Sequence, residues 1–409
     1  MTHLALATIS TVDLAAADLP AVAIDALYVH VPFCFHKCHY CDFYSITRQT
    51  PERMTQFVDR LLTEASYWRS HDVKPRTIFF GGGTPSLLPM ADMRRLIDGL
   101  HDAFDLDAVD EWTVEINPAT ADADYCRMLR DGGVDRLSFG AQSFDRAELA
   151  ALERHHDPDD VRRSIGLARD AGFERLNVDL IYAIPGQTLD SWQRSLDAAI
   201  ALETRHVSAY GLTYEPNTVI AVKKRLGQLE PAEESIELEM FDTARHVLDA
   251  AGMPGYEISN YAAPGQECRH NLCYWTGGNY VGLGPSAASH VAGHRFKNRP
   301  HLGDWESAVP GGRLPVIEHE IVPPTDRLLE RIMLQLRLRR GVRYDELSDD
   351  GHTAHARFAE TLSRLSALGL LDVTATHFRL TDKGLHVADA VAAEFARCDP
   401  SGSSPTAGG

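Results

Sequence analysis

The sequence is poor in cysteine, in basic residues and in long apolar runs. Seven of its 409 residues are cysteines. This number is small and odd, which argues against a disulfide scaffold. Lysine and arginine number 40 against 58 acidic residues, a formal net charge of −18. Wide nucleic-acid contact is therefore excluded, because phosphates need a basic surface. Since no apolar run approaches the length of about 18 residues that a membrane span needs, the sequence predicts none.

The sequence predicts a peripheral segment at each end of the chain. Residues 1–23 are interpreted as an N-terminal extension, and Asp13 and Asp18 stand where a secretory signal would be apolar. Without such a signal, the protein is expected to be cytoplasmic, with reduced thiols. The glycine- and serine-rich residues 398–409 are predicted to be a disordered tail.

A repeated pattern between residues 24 and 230 predicts the fold. Short β-branched or aromatic runs are each followed by a Gly, Pro or Asn signal and then by helical periodicity. The runs are Ala26–Val31, Thr77–Phe80, Trp112–Ile116, Arg136–Phe139, Leu176–Ile181 and His206–Leu212. Strands that alternate with helices indicate a parallel sheet with helices outside. The predicted class is α/β, with residues 24–230 forming a partial (βα)6 barrel.

The chain changes character after residue 230. Residues 231–322 begin with a long acidic helical stretch and continue into a region rich in Gly, Asn, His and Tyr, which predicts an α/β extension. Residues 323–397 contain two amphipathic helical stretches and then a strand, a turn and a helix, the order of a winged-helix-like domain. Its basic and acidic residues are equal in number, so a lid or interaction module is favoured over a DNA reader.

Three of the cysteines form a cluster directly after the first predicted strand. Cys34, Cys38 and Cys41 have the spacing C-x3-C-x2-C. Three thiolates on so short a loop can hold three corners of a cubic iron–sulfur cluster. They leave the fourth iron open to a ligand that is not protein.

Two other interpretations of this cluster remain open at this point. A zinc ion would take the three thiolates and one imidazole from His30, His36 or His39. Chance clustering of structural cysteines is the other, although three thiols so close together seldom all pack as apolar residues.

Glycine and polar residues follow the next strands at their carboxyl ends. The run Gly81–Thr84 comes directly after the second strand, and glycines allow backbone N–H groups to approach a ligand closely. Glu115, Gln142 and Asp179 lie at the ends of later strands. Each alone could be a core or cap residue. On successive strands of a barrel they indicate one shared pocket.

Together these motifs resemble the radical S-adenosylmethionine (SAM) superfamily, and within it the oxygen-independent coproporphyrinogen III oxidase family. The resemblance covers nearly the whole chain from Tyr28. It implies a [4Fe-4S] cluster on the three cysteines, with SAM chelating the fourth iron, where an electron from the cluster cleaves the C–S bond of SAM. The positions implied to contact SAM are Tyr28, Tyr40, Gly82, Gly83, Thr84, Glu115, Gln142, Arg154, Asp179, Gly211 and Ala288.

Two departures from the oxidases favour a paralogous subgroup, the HemW-like haem chaperones. Phe43 stands where the oxidases carry a further cysteine, and residues 270–275 read HNLCYW, which matches the HNxxYW signature of the subgroup. The resemblance implies haem binding, with His270 as an axial ligand, Cys273 as a competing thiolate, and the rings of Tyr274 and Trp275 beside the porphyrin. The alternative for His270 is a buried structural histidine. The glycine-rich segment 278–290 is expected to pack over the cluster pocket.

The predicted function is that of a haem chaperone, which binds haem and a SAM-chelated cluster and hands haem to acceptor haemoproteins, expected to be respiratory and membrane-associated. An electron donor is a further expected partner. The main alternative is an oxidative decarboxylase of coproporphyrinogen III, and a radical SAM enzyme for another substrate is a third. No catalytic residue is assigned.

Overall fold

The computed structural model describes residues 12–71, 73–120, 122–347 and 356–397, so the predicted tail lies outside the described residues. Parallel strands in chain order form the centre of the main sheet. They are β1 (Ala26–Val31), β2 (Thr77–Gly82), β3 (Glu111–Ile116), β4 (Arg136–Gln142), β5 (Arg175–Tyr182) and β6 (His206–Gly211). Each predicted run is a strand, and the predicted α/β class is confirmed.

Amphipathic helices connect these strands and cover the sheet. They are α1 (Pro51–Ser66), α2 (Met90–Ala103), α3 (Ala123–Asp131), α4 (Arg146–Ala151), α5 (Pro158–Asp170) and α6 (Leu189–Ala201). Capping fixes where they begin, since the side chain of Thr50 accepts from Arg53 N at α1 and that of Asp122 accepts from Tyr125 N at α3. The sequence pattern did not predict α4, which has only six residues.

The segment between residues 219 and 321 widens the sheet at both sides. Its elements are α7 (Val219–Arg225), α8 (Glu234–Ala250), β7 (Asn260–Ala262), α9 (Arg269–Trp275), β8 (Tyr280–Leu283), β9 (Ala288–Val291), β10 (His294–Asn298), α10 (Leu302–Ala308) and β11 (Val316–Ile321). The sheet order is β11-β10-β9-β8-β1-β2-β3-β4-β5-β6-β7, in which β8 is parallel to β1 and β7 is antiparallel to β6.

The expectation that segment 278–290 packs over the cluster pocket is wrong. This segment forms β8 and most of β9, and its glycines serve close strand packing instead. A Cβ atom on Gly282 would collide with the carbonyl of Ala288, and one on Gly284 would lie 2.5 Å from the carbonyl of His30.

The C-terminal segment has its own sheet and its own apolar core. Its elements are α11 (Pro324–Gln335), β12 (Val342–Arg343), α12 (Ala359–Ala367), β13 (Leu371–Val373), β14 (His377–Leu380), α13 (Asp382–Leu385) and α14 (Ala388–Arg397). The strands form an antiparallel sheet in the order β12-β14-β13. Ile332, Phe358, Phe378 and Phe395 belong to a separate buried cluster. This supports the winged-helix-like module, and its boundaries at 323 and 397 stay proposals.

The parallel arrangement decides where a site can form. Because β1 to β6 all run the same way, their carboxyl ends meet at one edge and their amino ends at the other. Among the described residues, no helix combines the length and the apolar character that crossing a bilayer requires.

Candidate functional site

A cavity of about 720 Å³ lies at the carboxyl ends of the parallel strands. Cys34, Cys38 and Cys41 line it, together with most of the positions implied to contact SAM. Those that line it are Tyr40, Gly82, Gly83, Thr84, Glu115, Gln142, Arg154, Asp179 and Gly211. The fold therefore brings the cysteine loop, which follows β1, and residues from the carboxyl ends of β2 to β6 into one space.

The cysteine loop is held to the end of β1 by its own backbone. Cys34 N donates to Ile46 O at 2.9 Å, Ile46 N donates to Pro32 O at 2.7 Å, and Cys41 N donates to Cys38 O at 3.2 Å. Burial raises the pKa of the Cys34 thiol, and burial also raises that of Cys41 to about 11. Metal binding at this loop must therefore displace protons from the thiols.

Hydrogen-bond donors already face two of these sulfur atoms. Thr84 Oγ1 lies 3.7 Å from Cys34 Sγ, and Arg154 Nη1 lies 3.6 Å from Cys38 Sγ. Donors of this kind stabilise thiolates and tune clusters that thiolates bind. The donor set of three thiols, a hydroxyl and a guanidinium fits an anionic iron–sulfur cluster.

Arg154 also has an N–H donor, Nε, that makes no hydrogen bond among the described residues. Its Nη2 donates to Gly140 O at 2.6 Å, whereas its buried Nε has no hydrogen-bond partner within the described ranges. Buried donors are nearly always paired in folded proteins, so this orphaned N–H points to a ligand. A carboxylate such as that of SAM is the kind of acceptor that a guanidinium prefers.

Two carboxylates face the same cavity, Glu115 from β3 and Asp179 from β5, the strands on either side of β4. Burial, and then the like charge of Asp179, raise the pKa of Glu115 to about 8. Burial also raises the pKa of Asp179, against hydrogen bonds from Ser208, Asn177 and Ser138. These acceptors suit the ammonium and hydroxyl donors of a zwitterionic nucleoside ligand. Arg154 and the two acids together fit SAM.

The glycines at the end of β2 leave room for the segment that carries the cysteines, as well as for a ligand. Gly82 has a φ of +100°, in the left-handed region that glycine favours, and a Cβ atom there would collide with the His30 ring. A Cβ atom on Gly83 would lie 2.7 Å from Phe33 O. Any side chain at these positions would displace the loop that carries the thiols.

Two positions implied to contact SAM do not line the cavity. The Tyr28 hydroxyl lies 3.0 Å from His30 Nδ1, and Ala288 lies in β9, beyond β8. The second ring nitrogen of His30 pairs with Tyr44 O at 2.9 Å, and burial lowers the pKa of His30 to about 4. Because both nitrogens are occupied, His30 does not suit the zinc alternative.

Sequence reasoning missed a cluster at the cavity mouth. His36, Glu153 and His155 place potential ligand atoms within 4.8 Å of one another. Phe35 and Phe43 line the same cavity and are 74% and 65% exposed. The histidines stand out in the sequence, but Glu153 and His155 follow α4, whose position was not predicted. Only the fold brings them to the cysteine loop.

The HNLCYW motif lies at the opposite edge of the sheet. It forms α9, where His270 Nδ1 lies 2.9 Å from Thr77 Oγ1 and Nε2 lies 2.8 Å from the Tyr274 hydroxyl. Thr77 begins β2 and Gly82 ends it, a distance of about 16 Å along a strand. The structure therefore does not bring the motif together with the cysteines.

A network of ion pairs and hydrogen bonds around Glu111 stabilises this edge. Glu111 accepts from Arg269 N and His270 N, both at 3.0 Å, and from Arg175 Nη2 at 2.6 Å. Burial alone would raise the pKa of Glu111, but Arg136 and Arg175 outweigh it and lower the pKa. Haem ligation through either ring nitrogen of the 1%-exposed His270 would break the hydrogen bond that this nitrogen makes, so the contacts favour the structural alternative.

Of the rest of the motif, Trp275 contacts the C-terminal module and Cys273 packs against Gly278. The Arg337 guanidinium lies 5.6 Å from the centre of the Trp275 ring, and a Cβ atom on Gly278 would lie 2.5 Å from Cys273 Sγ. Haem binding by His270, Cys273, Tyr274 and Trp275 stays a prediction.

The cavity, the C-x3-C-x2-C loop and the parallel sheet define a radical SAM protein. Residues 28–199 match the model of the radical SAM superfamily, and residues 322–387 match that of the HemN C-terminal domain. Coproporphyrinogen III oxidase (HemN) from Escherichia coli has the same fold, with a TM-score of 0.81 and 22% identity over 93% of this chain and 92% of that one.

The chain belongs to the HemW family. It is 35% identical to the haem chaperone HemW of Mycobacterium tuberculosis over 89% of this chain and 93% of that protein. It is 34% identical to HemW of Escherichia coli over 88% and 94% of the two chains. Membership of the radical SAM superfamily implies a [4Fe-4S] cluster and SAM. The family resemblance drawn from the motifs is confirmed.

Proposed function

We propose that this protein is a haem chaperone, which holds a SAM-chelated [4Fe-4S] cluster and passes haem to acceptor haemoproteins in the cytoplasm or at the membrane surface. The observation that carries the proposal is the end-to-end similarity to proteins named haem chaperone HemW, at 32–35% identity. Phe43 agrees with it, because the resemblance implies a cysteine at this position in active oxidases.

The residues of the cavity divide into three groups by chemistry. Cys34, Cys38 and Cys41 would hold the cluster, and the hydroxyl of Thr84 would stabilise its thiolates. Arg154 would pair with the carboxylate of SAM. When bound, the cluster and SAM together supply one-electron chemistry at the open iron.

The acids of the cavity, Glu115 and Asp179, form the third group. Glu115 and Asp179 would accept from the donors of SAM, and these bonds would favour their ionised forms. Binding of SAM is therefore expected to release or move protons at Glu115, whose pKa burial and Asp179 raise to about 8.

The decisive experiment combines two assays on one sample. Anaerobically reconstituted protein is titrated with haem and then supplied with coproporphyrinogen III, SAM and a reductant. The proposal expects stable binding of about one haem per chain, transfer to an apo-haemoprotein and no decarboxylation. Multiple turnovers to protoporphyrinogen would support the oxidase instead. Absence of haem binding would contradict the chaperone.

A further inference from the structure

The mouth of the cysteine cavity contains a group of imidazoles that the SAM and cluster positions do not use. His36 lies on the cysteine loop and His155 lies in the loop between α4 and α5, and their rings meet edge to face with centroids 4.7 Å apart. Both line the cavity. Their nearest carboxylate, Glu153, lies 3.6 Å from His36 Nε2.

The hydrogen bonds of the mouth histidines leave one imidazole with both nitrogens available. His36 Nε2 faces Glu153, and His39 faces both Glu153 at 3.8 Å and Lys223 Nζ at 3.1 Å. His156 is buried, with Nε2 3.0 Å from Ala141 O. His155 is exposed, and neither of its ring nitrogens has a hydrogen bond or ion pair in the part of the chain that the structure describes.

Two exposed apolar rings line the same cavity as this imidazole group. Phe35 and Phe43 line the same cavity and are 74% and 65% exposed, which is unusual for side chains of this size. Exposed aromatic rings beside a concave site mark a surface that buries an apolar ligand. A free imidazole beside exposed rings provides what haem requires, namely an axial ligand and apolar contact for the porphyrin.

We propose that haem docks at the mouth of the cysteine cavity, with His155 as the axial ligand of its iron and Phe35 and Phe43 against the porphyrin. This inference rests on the proposed function, because it assumes that haem is the cargo. It places haem next to the cluster pocket, about one strand length away from His270. His36 packs against the ligand ring and, with Glu153, limits its rotation.

The experiment is an anaerobic haem titration of the cluster-loaded protein, followed by absorption and electron paramagnetic resonance (EPR) spectroscopy. His155→Ala is expected to weaken haem binding at least about tenfold and to abolish the spectrum of the axially ligated ferric haem. Added imidazole should restore that spectrum in His155→Ala, a rescue that a purely structural role would not give. Because His155 is exposed, the iron content per chain should remain that of the wild type.

Matched variants complete the test. His39→Ala, at an imidazole already paired with Lys223, should change haem affinity less than about threefold, and His270→Gln should leave the haem spectrum unchanged. A wild-type spectrum in His155→Ala, or loss of ligation only in His270→Gln, would overturn the inference and leave the chaperone proposal standing. Zinc that binds His36, Glu153 and His155 without displacing haem would also overturn it. If the wild-type protein binds no haem, both proposals fail.

Discussion

Two glutamates on the same strand show how the two edges of the sheet differ. Glu111 begins β3 at the HNLCYW edge, and Glu115 lies four residues later at the cavity edge. Despite the cost of burial, Arg136 and Arg175 lower the pKa of Glu111, whereas burial and Asp179 raise that of Glu115 to about 8. One acid is neutralised by protein, and the other faces a space where a ligand can neutralise it.

The same contrast extends to the residues around each glutamate. At the HNLCYW edge, both ring nitrogens of His270 have partners. At the cavity edge, Arg154 Nε is buried without a partner among the described residues, and Phe35 is exposed. In barrels of this kind, residues at the carboxyl ends of strands serve function and those at the amino ends serve stability. We interpret the two edges in this way.

The largest expected effect is the loss of cluster iron when a cysteine at the cavity edge is replaced. Replacing Cys34, Cys38 or Cys41 by Ala removes one of three thiolate ligands, and iron per chain should fall from about four to nearly none after anaerobic reconstitution. Cys126→Ala is the matched control, because Cys126 lies in α3 and is fully buried in the core. Loss of iron in the control as well would contradict the assignment of ligands.

Removing the Glu111 ion pair at the HNLCYW edge should lower stability rather than iron content. Glu111→Gln removes the buried carboxylate that faces Arg136 and pairs with Arg175, which keeps its ion pair with Asp135, at a cost of about 3 to 5 kcal/mol in the free energy of unfolding. Denaturant unfolding of the metal-free chain measures this. The folded variant should still take up the wild-type amount of iron, and a selective loss of iron would contradict the division between the edges.

A pH titration sharpens the comparison. Because the folded pKa of Glu115, about 8, exceeds its ordinary value of 4.5, the folded state keeps a proton that the unfolded chain releases. Wild-type stability should therefore fall, relative to Glu115→Gln, as pH rises from 4.5 to 8. Glu115 is only half-buried, so we expect a difference of about 2 kcal/mol across this range rather than the full linkage value.

Glu111→Gln should show the opposite trend. A lowered folded pKa contributes stability above the ordinary value of 4.5, which is lost as pH falls through the folded pKa. The free energy of unfolding of Glu111→Gln should therefore fall less than that of the wild type as the pH drops below 4.5. Parallel profiles for the two variants would show that the two acids do not differ.

The smallest effect concerns the contact between α9 and the C-terminal module. Trp275→Leu removes the ring that lies 5.6 Å from the Arg337 guanidinium, at a cost of about 1 kcal/mol. Calorimetry should show a lower midpoint for the unfolding of the C-terminal module. An unchanged SAM-induced EPR signal is the control, since Trp275 does not line the cavity.

Local pattern predicted the parallel sheet well. The strand Ala26–Val31 was predicted to the residue, because a β-branched or aromatic run is a local signal. Nine of the eleven positions implied to contact SAM line the cavity, because polar residues at the ends of parallel strands share one edge.

The rest depends on distant contacts. The six residues of α4 have too few turns for a clear helical period, so the position of His155 beside His36 could not be predicted. The motif HNLCYW suggested a ligand site, yet Thr77 and Glu111, far away in the chain, take up the polar groups of His270. Such pairing is a property of the fold rather than of the motif.

Hydrogen–deuterium exchange with mass spectrometry tests the central claim most directly. The cluster-loaded protein is compared alone, with SAM, and with SAM and haem. SAM is expected to protect Gly82–Thr84 and the backbone around Arg154, and haem is expected to add protection at residues 35–43 and 153–156. Exchange in Arg269–Trp275 should not change. Protection by haem at Arg269–Trp275, with none at the cavity mouth, would contradict the assignment of ligand binding to the cavity edge.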